Sequence, residues 1–135
     1  MIVYHCWVAI SYHAHDTDLT LQANCIENCI NYLATHEYLT ADKYKVVQCN
    51  EISTFLASGC HKRDGNYIIE IFEWIGRNAP GSYGLLYFHD DKDPATENTF
   101  NVFVMKKGKV IQQMDTFFSP VIPTIEDEYD ETRGD

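Results

Sequence analysis

Residues 68–88 read IIEIFEWIGRNAPGSYGLLYF and predict a helix, a stop and a strand in succession. Asp64 is placed to cap the helix, and Pro80-Gly81 ends it. Ser82 to Phe88 is a nearly continuous apolar run too short for a helix, which predicts a central buried strand. The helix is indicated by apolar residues at the three- and four-residue spacing of one helix face: Ile68, Ile71, Phe72, Ile75 and Ala79.

The segment before this stretch predicts three strands and one helix. Ile2 to Ile10 has apolar residues at both alternating sets of positions, which indicates a strand covered on both sides. Asp16 or Asp18 caps a helix that runs to about Thr35. Two β-rich runs follow, Tyr44–Cys49 and Ile52–Ser58, split by a short turn at Asn50-Glu51.

After the central strand, Phe100–Met105 and Lys109–Met114 predict a hairpin around Lys107-Gly108. The order is therefore β-α-β-β-α-β-β-β. This order predicts an α+β fold in which two helices pack on one face of a mainly antiparallel sheet.

The chain of 135 residues fits one domain, which we place at residues 1–118. Residues 119–135 form a proline-containing acidic extension. Pro120 and Pro123 prevent regular strand pairing there, and Ile122 and Ile125 are placed to hold the segment on the body.

Composition indicates a folded protein, because 45% of the residues are hydrophobic and 13% aromatic. No apolar run approaches the roughly 18 residues of a membrane span, and the first residues lack the features of a signal peptide, so a cytoplasmic location is expected. The cysteines form an odd set without CxxC spacing and are expected to be reduced: Cys6, Cys25, Cys29, Cys49 and Cys60.

The net charge of −10 opposes binding to nucleic acid or an anionic membrane and favours a basic partner. The excess acid is concentrated in residues 89–97, with four acids against one lysine, and in residues 119–135, with six acids against one arginine. These runs could be no more than a solvated loop and a frayed tail. Read as a binding surface, they supply eight candidate contacts: Asp90, Asp91, Asp93, Glu97, Glu126, Asp127, Glu128 and Asp130.

No pattern of catalytic residues is found, so we predict neither an enzyme nor a cofactor. The stretch 89–97 lacks the glycine and spacing of a calcium loop, and no GxSxG, P-loop or GxGxxG motif occurs. The adjacent Cys60 and His61 would point to opposite faces of a strand. Trp7 and Trp74 are expected in the core or at its edge rather than as ligand platforms.

One cluster keeps a different class of function open. His13, His15 and Asp16 could bind a metal ion, with Asp18 nearby, which would make the chain a small metal-binding protein or enzyme. Two histidines at the exit of a strand are, however, commonly surface residues.

Two segments resemble the "immunity 7" family of bacterial immunity proteins. The first runs from Ala79-Pro80-Gly81-Ser82-Tyr83-Gly84-Leu85-Leu86-Tyr87 through His89-Asp90-Asp91-Lys92-Asp93-Pro94. The second comprises Phe100-Asn101-Val102-Phe103-Val104, Lys107-Gly108-Lys109 and the ending Ser119-Pro120-Val121-Ile122-Pro123-Thr124-Ile125-Glu126-Asp127-Glu128-Tyr129-Asp130. The resemblance covers roughly residues 68–130 and is weaker at Tyr4-His5-Cys6-Trp7-Val8, where Cys6 replaces a glycine common in the family.

The resemblance implies an immunity protein that binds and neutralises the C-terminal domain of a cognate secreted toxin in interbacterial competition. A basic nuclease toxin, such as an RNase of the EndoU type, would be matched by the acidic surface. The eight acids above are then the candidate toxin contacts, no metal or direct nucleic-acid binding is expected, and a homodimer is left open. Shared segments can also be scaffold, in which case residues 13–66 would supply the partner-specific contacts.

Overall fold

The computed structural model describes residues 1–16, 18–62 and 66–135. Six strands and two helices occur in the predicted order, with one short 3₁₀ turn added, so the α+β prediction is confirmed. Their bounds are β1 Ile2–Ile10, α1 Leu19–Ala34, the 3₁₀ turn Ala41–Lys43, β2 Tyr44–Cys49, β3 Ile52–His61, α2 Tyr67–Asn78, β4 Tyr83–Asp90, β5 Asn101–Lys106 and β6 Lys109–Met114.

The six strands form one sheet in the order β2-β3-β1-β4-β5-β6, and every neighbouring pair is antiparallel. The first four strands and two helices make the β-α-β-β-α-β arrangement of ferredoxin-like folds. The β5–β6 hairpin widens this unit beyond β4. Lys107 and Gly108 both have positive φ, 49° and 71°, as a two-residue hairpin turn requires.

A polar residue occupies the N-cap position of each helix. Asp18 caps α1, because its carboxylate accepts hydrogen bonds from the amides of Thr20 and Leu21 at 2.9 and 3.1 Å. Asp64, the predicted cap of α2, lies outside the described residues. Asn66 occupies the cap position of α2 and makes no side-chain capping bond there.

Both helices pack on the same face of the sheet. Tyr4 on β1, Phe55 on β3 and Leu86 on β4 are fully buried against them. The helices also contact each other through Tyr32 and Trp74, whose rings are stacked with centroids 3.8 Å apart. Trp74 therefore belongs to the edge of the core, as expected. The helix residues of the core include Cys25, Cys29, Leu33, Ile68, Ile71, Phe72 and Ile75.

The expectation that β1 is covered on both sides is wrong. Its even-numbered residues are buried under the helices, but His5 is exposed and Trp7 is 37% exposed on the other face. The central strand β4 likewise has one buried face and one partly open face, where Tyr83 is 52% exposed. Two helices cover one side of the six-stranded sheet. On the other side no described helix or strand lies over Trp7, although His89, Phe100 and Val102 are buried there.

Two further strand ends differ from the prediction. β3 continues through Cys60 to His61, and β4 includes His89 and Asp90, which the sequence assigned to the acidic loop.

All five cysteines are free thiols, of which Cys49 and Cys60 are exposed. Across the described ranges, neither helix is long and apolar enough to cross a bilayer.

Candidate functional site

The uncovered side of the sheet, which we call the open face, carries a continuous row of mostly apolar side chains. Strand register places one residue from each strand opposite the next, so the row crosses the whole sheet. Side chains in adjacent strands at matched positions contact each other directly. From β2 to β6 the row is Lys45, Leu56, Trp7, Leu85, Val104 and Ile111.

Aromatic and polar groups flank this row. The Trp7 ring meets the Tyr83 ring edge-on, with centroids 5.9 Å apart. On the other side, His5 Nδ1 lies 2.7 Å from Ser58 Oγ. Beside them the 3₁₀ turn borders a shallow groove of about 630 Å³ over the open face. The open face thus offers apolar surface with hydrogen-bonding groups at its margin.

The predicted acids at residues 90–97 divide between the two sides of the sheet. Asp90 and Asp93 line a cavity on the helix side, together with Asn66. Asp91 and Glu97 line a different cavity, with His89 and residues 121–122. Because His89 is the next residue after Tyr87 on the open-face side of β4, Asp91 and Glu97 border the open face.

The acidic tail is fastened to this same border by one residue that the sequence did not reveal. Asn98 donates to the carbonyl of Ile122 at 2.7 Å and accepts from the amide of Val121 at 2.9 Å. The amide of Glu126 donates to the Val121 carbonyl at 3.0 Å. Because Val121 is itself bonded to Asn98, the first acid of the tail is linked to Asn98 through Val121. Ile125 is 58% exposed, so hydrogen bonds rather than its side chain hold the segment.

We call Asp91, Glu97 and the tail carboxylates of residues 126–135 the acidic rim. Two further contacts hold the loop before Asn98 and the start of the tail near the open face. His89 Nε2 lies 2.8 Å from the Glu97 carbonyl oxygen, which folds the loop back against the sheet. The Tyr87 hydroxyl donates to Asp115 Oδ1 at 3.2 Å, where the chain leaves β6 towards the tail.

Local hydrogen bonds lower the pKa of individual rim carboxyls. The amino group of Met1 donates to Asp91 at 2.6 Å and lowers the pKa of that carboxyl. Hydrogen bonds from Thr132 lower the pKa of Asp130. The one tail cation, Arg133, bonds to Asp135 at 2.8 Å and lies 3.7 Å from Asp127.

Four acids of the rim keep their charge fully available. Within the described part of the chain, no hydrogen bond or ion pair engages the carboxylates of Glu97, Glu126, Glu128 or Glu131. All four side chains are exposed. The rim therefore presents unneutralised negative charge to a partner.

The alternative metal cluster is not assembled. His15 Nε2 lies 3.0 Å from Asp16 Oδ2, but these side chains are 89% and 86% exposed. Among residues 1–16, 18–62 and 66–135, no group of three or more His, Cys, Asp or Glu side chains is arranged to hold a metal ion. His61 contacts Tyr4 and Tyr67 on the helix side, whereas Cys60 is on the open-face side, so the two do not form a nucleophile and base.

Sequence reasoning missed the open face, although a signal for it was present. Only two helices were predicted, both on one face, and two helices cannot cover both sides of a six-stranded sheet. Because β1 and β4 are apolar on both faces and the helices can cover only one of them, exposed apolar residues such as Trp7 could have been predicted on the other face. Asn98 had no such signal, because its role depends on where residues 121–122 return in space.

Comparison with known proteins gives one match. The family model described as "Immunity protein 7" matches residues 1–127. Searches of curated proteins and of solved structures found no match.

Proposed function

This chain belongs to the immunity protein 7 family, and from that premise we propose that it neutralises a nuclease toxin, most specifically an RNase, by covering the toxin's basic surface with acidic residues. Family membership makes it an immunity protein with a cognate toxin as partner. The nuclease class and the acidic mode of binding are the parts that we add.

The observation that carries the proposal is the joining of two acidic segments at one border of the sheet. Asn98 holds residues 121–122 beside the loop that contains Asp91 and Glu97. These segments are separated in sequence by two strands, and each is acidic on its own. This contact supports treating the two acidic segments as one negative surface instead of two unrelated solvated runs.

A nuclease supplies the complementary surface. Its substrate groove must attract phosphate groups and is therefore positively charged. Carboxylates presented to that groove compete for the same lysine and arginine side chains and also accelerate encounter. The overall charge of −10 has the sign that this mode of inhibition needs.

The metal-binding or enzymatic alternative has no comparable support. Its residues are exposed, and the described residues bring no third ligand to His15 and Asp16. We therefore propose no catalytic residue and no cofactor for this chain.

The proposal predicts stoichiometric inhibition. The probe is the toxic C-terminal domain of the large secreted protein that we expect the neighbouring gene to encode. Cleavage of a fluorescent RNA by this domain should fall linearly with added immunity protein and reach background at one molar equivalent. Tight complexes have Kd values in the nanomolar range or below, so the titration should show a sharp end point.

Two outcomes distinguish the nuclease assignment from the pairing of this protein with the toxin. A toxin domain that is bound and neutralised in cells, but cleaves neither RNA nor DNA, would refute the nuclease assignment alone. A toxin domain that remains toxic when co-expressed with this protein would refute the pairing itself.

A further inference from the structure

We propose that the open face, centred on Trp7, is the surface on which the basic toxin domain docks, with the acidic rim guiding it there. This inference rests on the proposed function and adds the contact surface, which lies mostly outside the acidic residues.

The first argument is that the sheet lacks a cover that its sequence calls for. β1 and β4 carry apolar residues on both faces, a pattern typical of strands buried on both sides. The helices bury one face, while Trp7, Leu56 and Tyr83 remain 37%, 40% and 52% exposed on the other. A large exposed apolar patch with polar margins marks an interaction site in soluble proteins.

The second argument is the composition and position of the patch. Trp7 lies on β1, in the interior of the sheet, and is surrounded by apolar side chains from both neighbouring strands. Residues that dominate binding energy are most often Trp, Tyr and Arg near the centre of an interface. Tyr83 and Tyr87 stand on the adjacent strand β4, and the Tyr87 hydroxyl donates to Asp115.

The third argument is size. Six strands spaced about 4.8 Å apart give the open face a width of about 24 Å, and its strands run for about 20 Å. This area is about 480 Å², somewhat more than half of the roughly 800 Å² that each partner contributes to a typical protein–protein interface, and the acidic rim adds to it.

Charge decides which occupant fits. Asp91 and Glu97 of the acidic rim border the open face at the end near His89, so a partner that covers Trp7 also meets these two carboxylates. A basic protein domain gains favourable contacts there. A second copy of this chain brings another charge of −10 and a second acidic tail, which opposes face-to-face self-association. Lys43 and Lys45 lie at the far margin, beside Asp42, and leave the acidic end unneutralised.

The test compares two aromatic residues on opposite sides of the molecule. Trp7→Ala removes the centre of the open face. Tyr38→Ala removes a ring that is 58% exposed and stacks on Tyr67 of α2, on the helix side. Affinity for the purified toxin domain, measured by calorimetry, should weaken by at least about 30-fold for Trp7→Ala and by less than about threefold for Tyr38→Ala.

A second variant protects the test from misfolding. Leu56→Lys keeps a long side chain on an exposed position but places a positive charge against the basic partner, and it should weaken binding by at least about tenfold while the melting temperature stays close to that of the wild type. If the wild type binds the toxin domain and both Trp7→Ala and Leu56→Lys bind it as tightly as the wild type, the docking site is wrong and the proposed function stands. If the wild type itself does not bind, the proposed function fails first. A wild-type dimer that Trp7→Ala converts to a monomer, without change in toxin affinity, would assign the open face to a second copy and overturn the proposal.

Discussion

Replacing Gly84 with alanine should lower the free energy of unfolding by about 3 kcal/mol or more. Gly84 lies on β4 directly opposite Val8 of β1. An added Cβ would lie 2.1 Å from the Trp7 carbonyl oxygen and 2.8 Å from the Val8 Cα. Both are backbone atoms of a central strand, so the contact can be relieved only by moving the strands apart.

Urea unfolding followed by circular dichroism measures this effect, and Gly134→Ala is the matched control. Gly134 has no atom within 4 Å of the position that a Cβ would occupy, so its substitution should leave the midpoint unchanged. Equal stability of the two variants would show that β1 and β4 are not packed as closely as described. Because the displaced strand carries Trp7, Gly84→Ala should also impair toxin binding.

Reversing three tail carboxylates should slow association with the toxin domain by roughly ten- to a hundredfold at low ionic strength. The substitutions are Glu126→Lys, Asp127→Lys and Glu128→Lys. Each substitution replaces one negative charge with one positive charge, so the three together change the net charge from −10 to −4. The dissociation rate should change much less, because the steering field acts on encounter before contact is complete.

The matched control reverses three exposed acids outside the rim, Glu27, Glu37 and Glu51, and reaches the same net charge of −4. Stopped-flow measurements should show a clearly smaller loss of association rate for this control. At about 0.5 M salt, where the Debye length is only a few ångströms, the difference between the two triple variants should largely disappear. Equal rates for the two triple variants at low salt would mean that total charge matters and the position of the rim does not.

Most of the fold could be predicted from the sequence because its elements have strong periodic signals. The stripe of Ile68, Ile71, Phe72 and Ile75, closed by Pro80-Gly81, gave α2 and the start of β4 to within a residue or two. Lys107-Gly108 gave the last hairpin. The covering of the sheet could not be read in the same way, because alternation shows that both faces of β1 are apolar but not what lies against them.

Of the candidate site, only the two acidic segments could be predicted from the sequence. Counting acids identified residues 90–97 and 126–130, but it could not show that Asp90 and Asp93 lie on the helix side while Asp91 and Glu97 border the open face. That division follows from the pleat of β4 and the turn after it. The bonding of Asn98 to residues 121–122 joins segments more than 20 residues apart, and no local pattern encodes such a pairing.

The central claim is that the toxin domain covers the open face, and hydroxyl-radical footprinting of the complex tests it most directly. Oxidation of the Trp7 and Tyr83 side chains is measured in the free protein and in the complex, with Tyr38 on the helix side as internal reference. Our account predicts that oxidation of Trp7 and Tyr83 falls at least about fivefold on binding, as expected for side chains at the desolvated centre of an interface, while that of Tyr38 is unchanged. Unchanged oxidation of Trp7 in a fully formed complex, with Tyr38 protected instead, would contradict it.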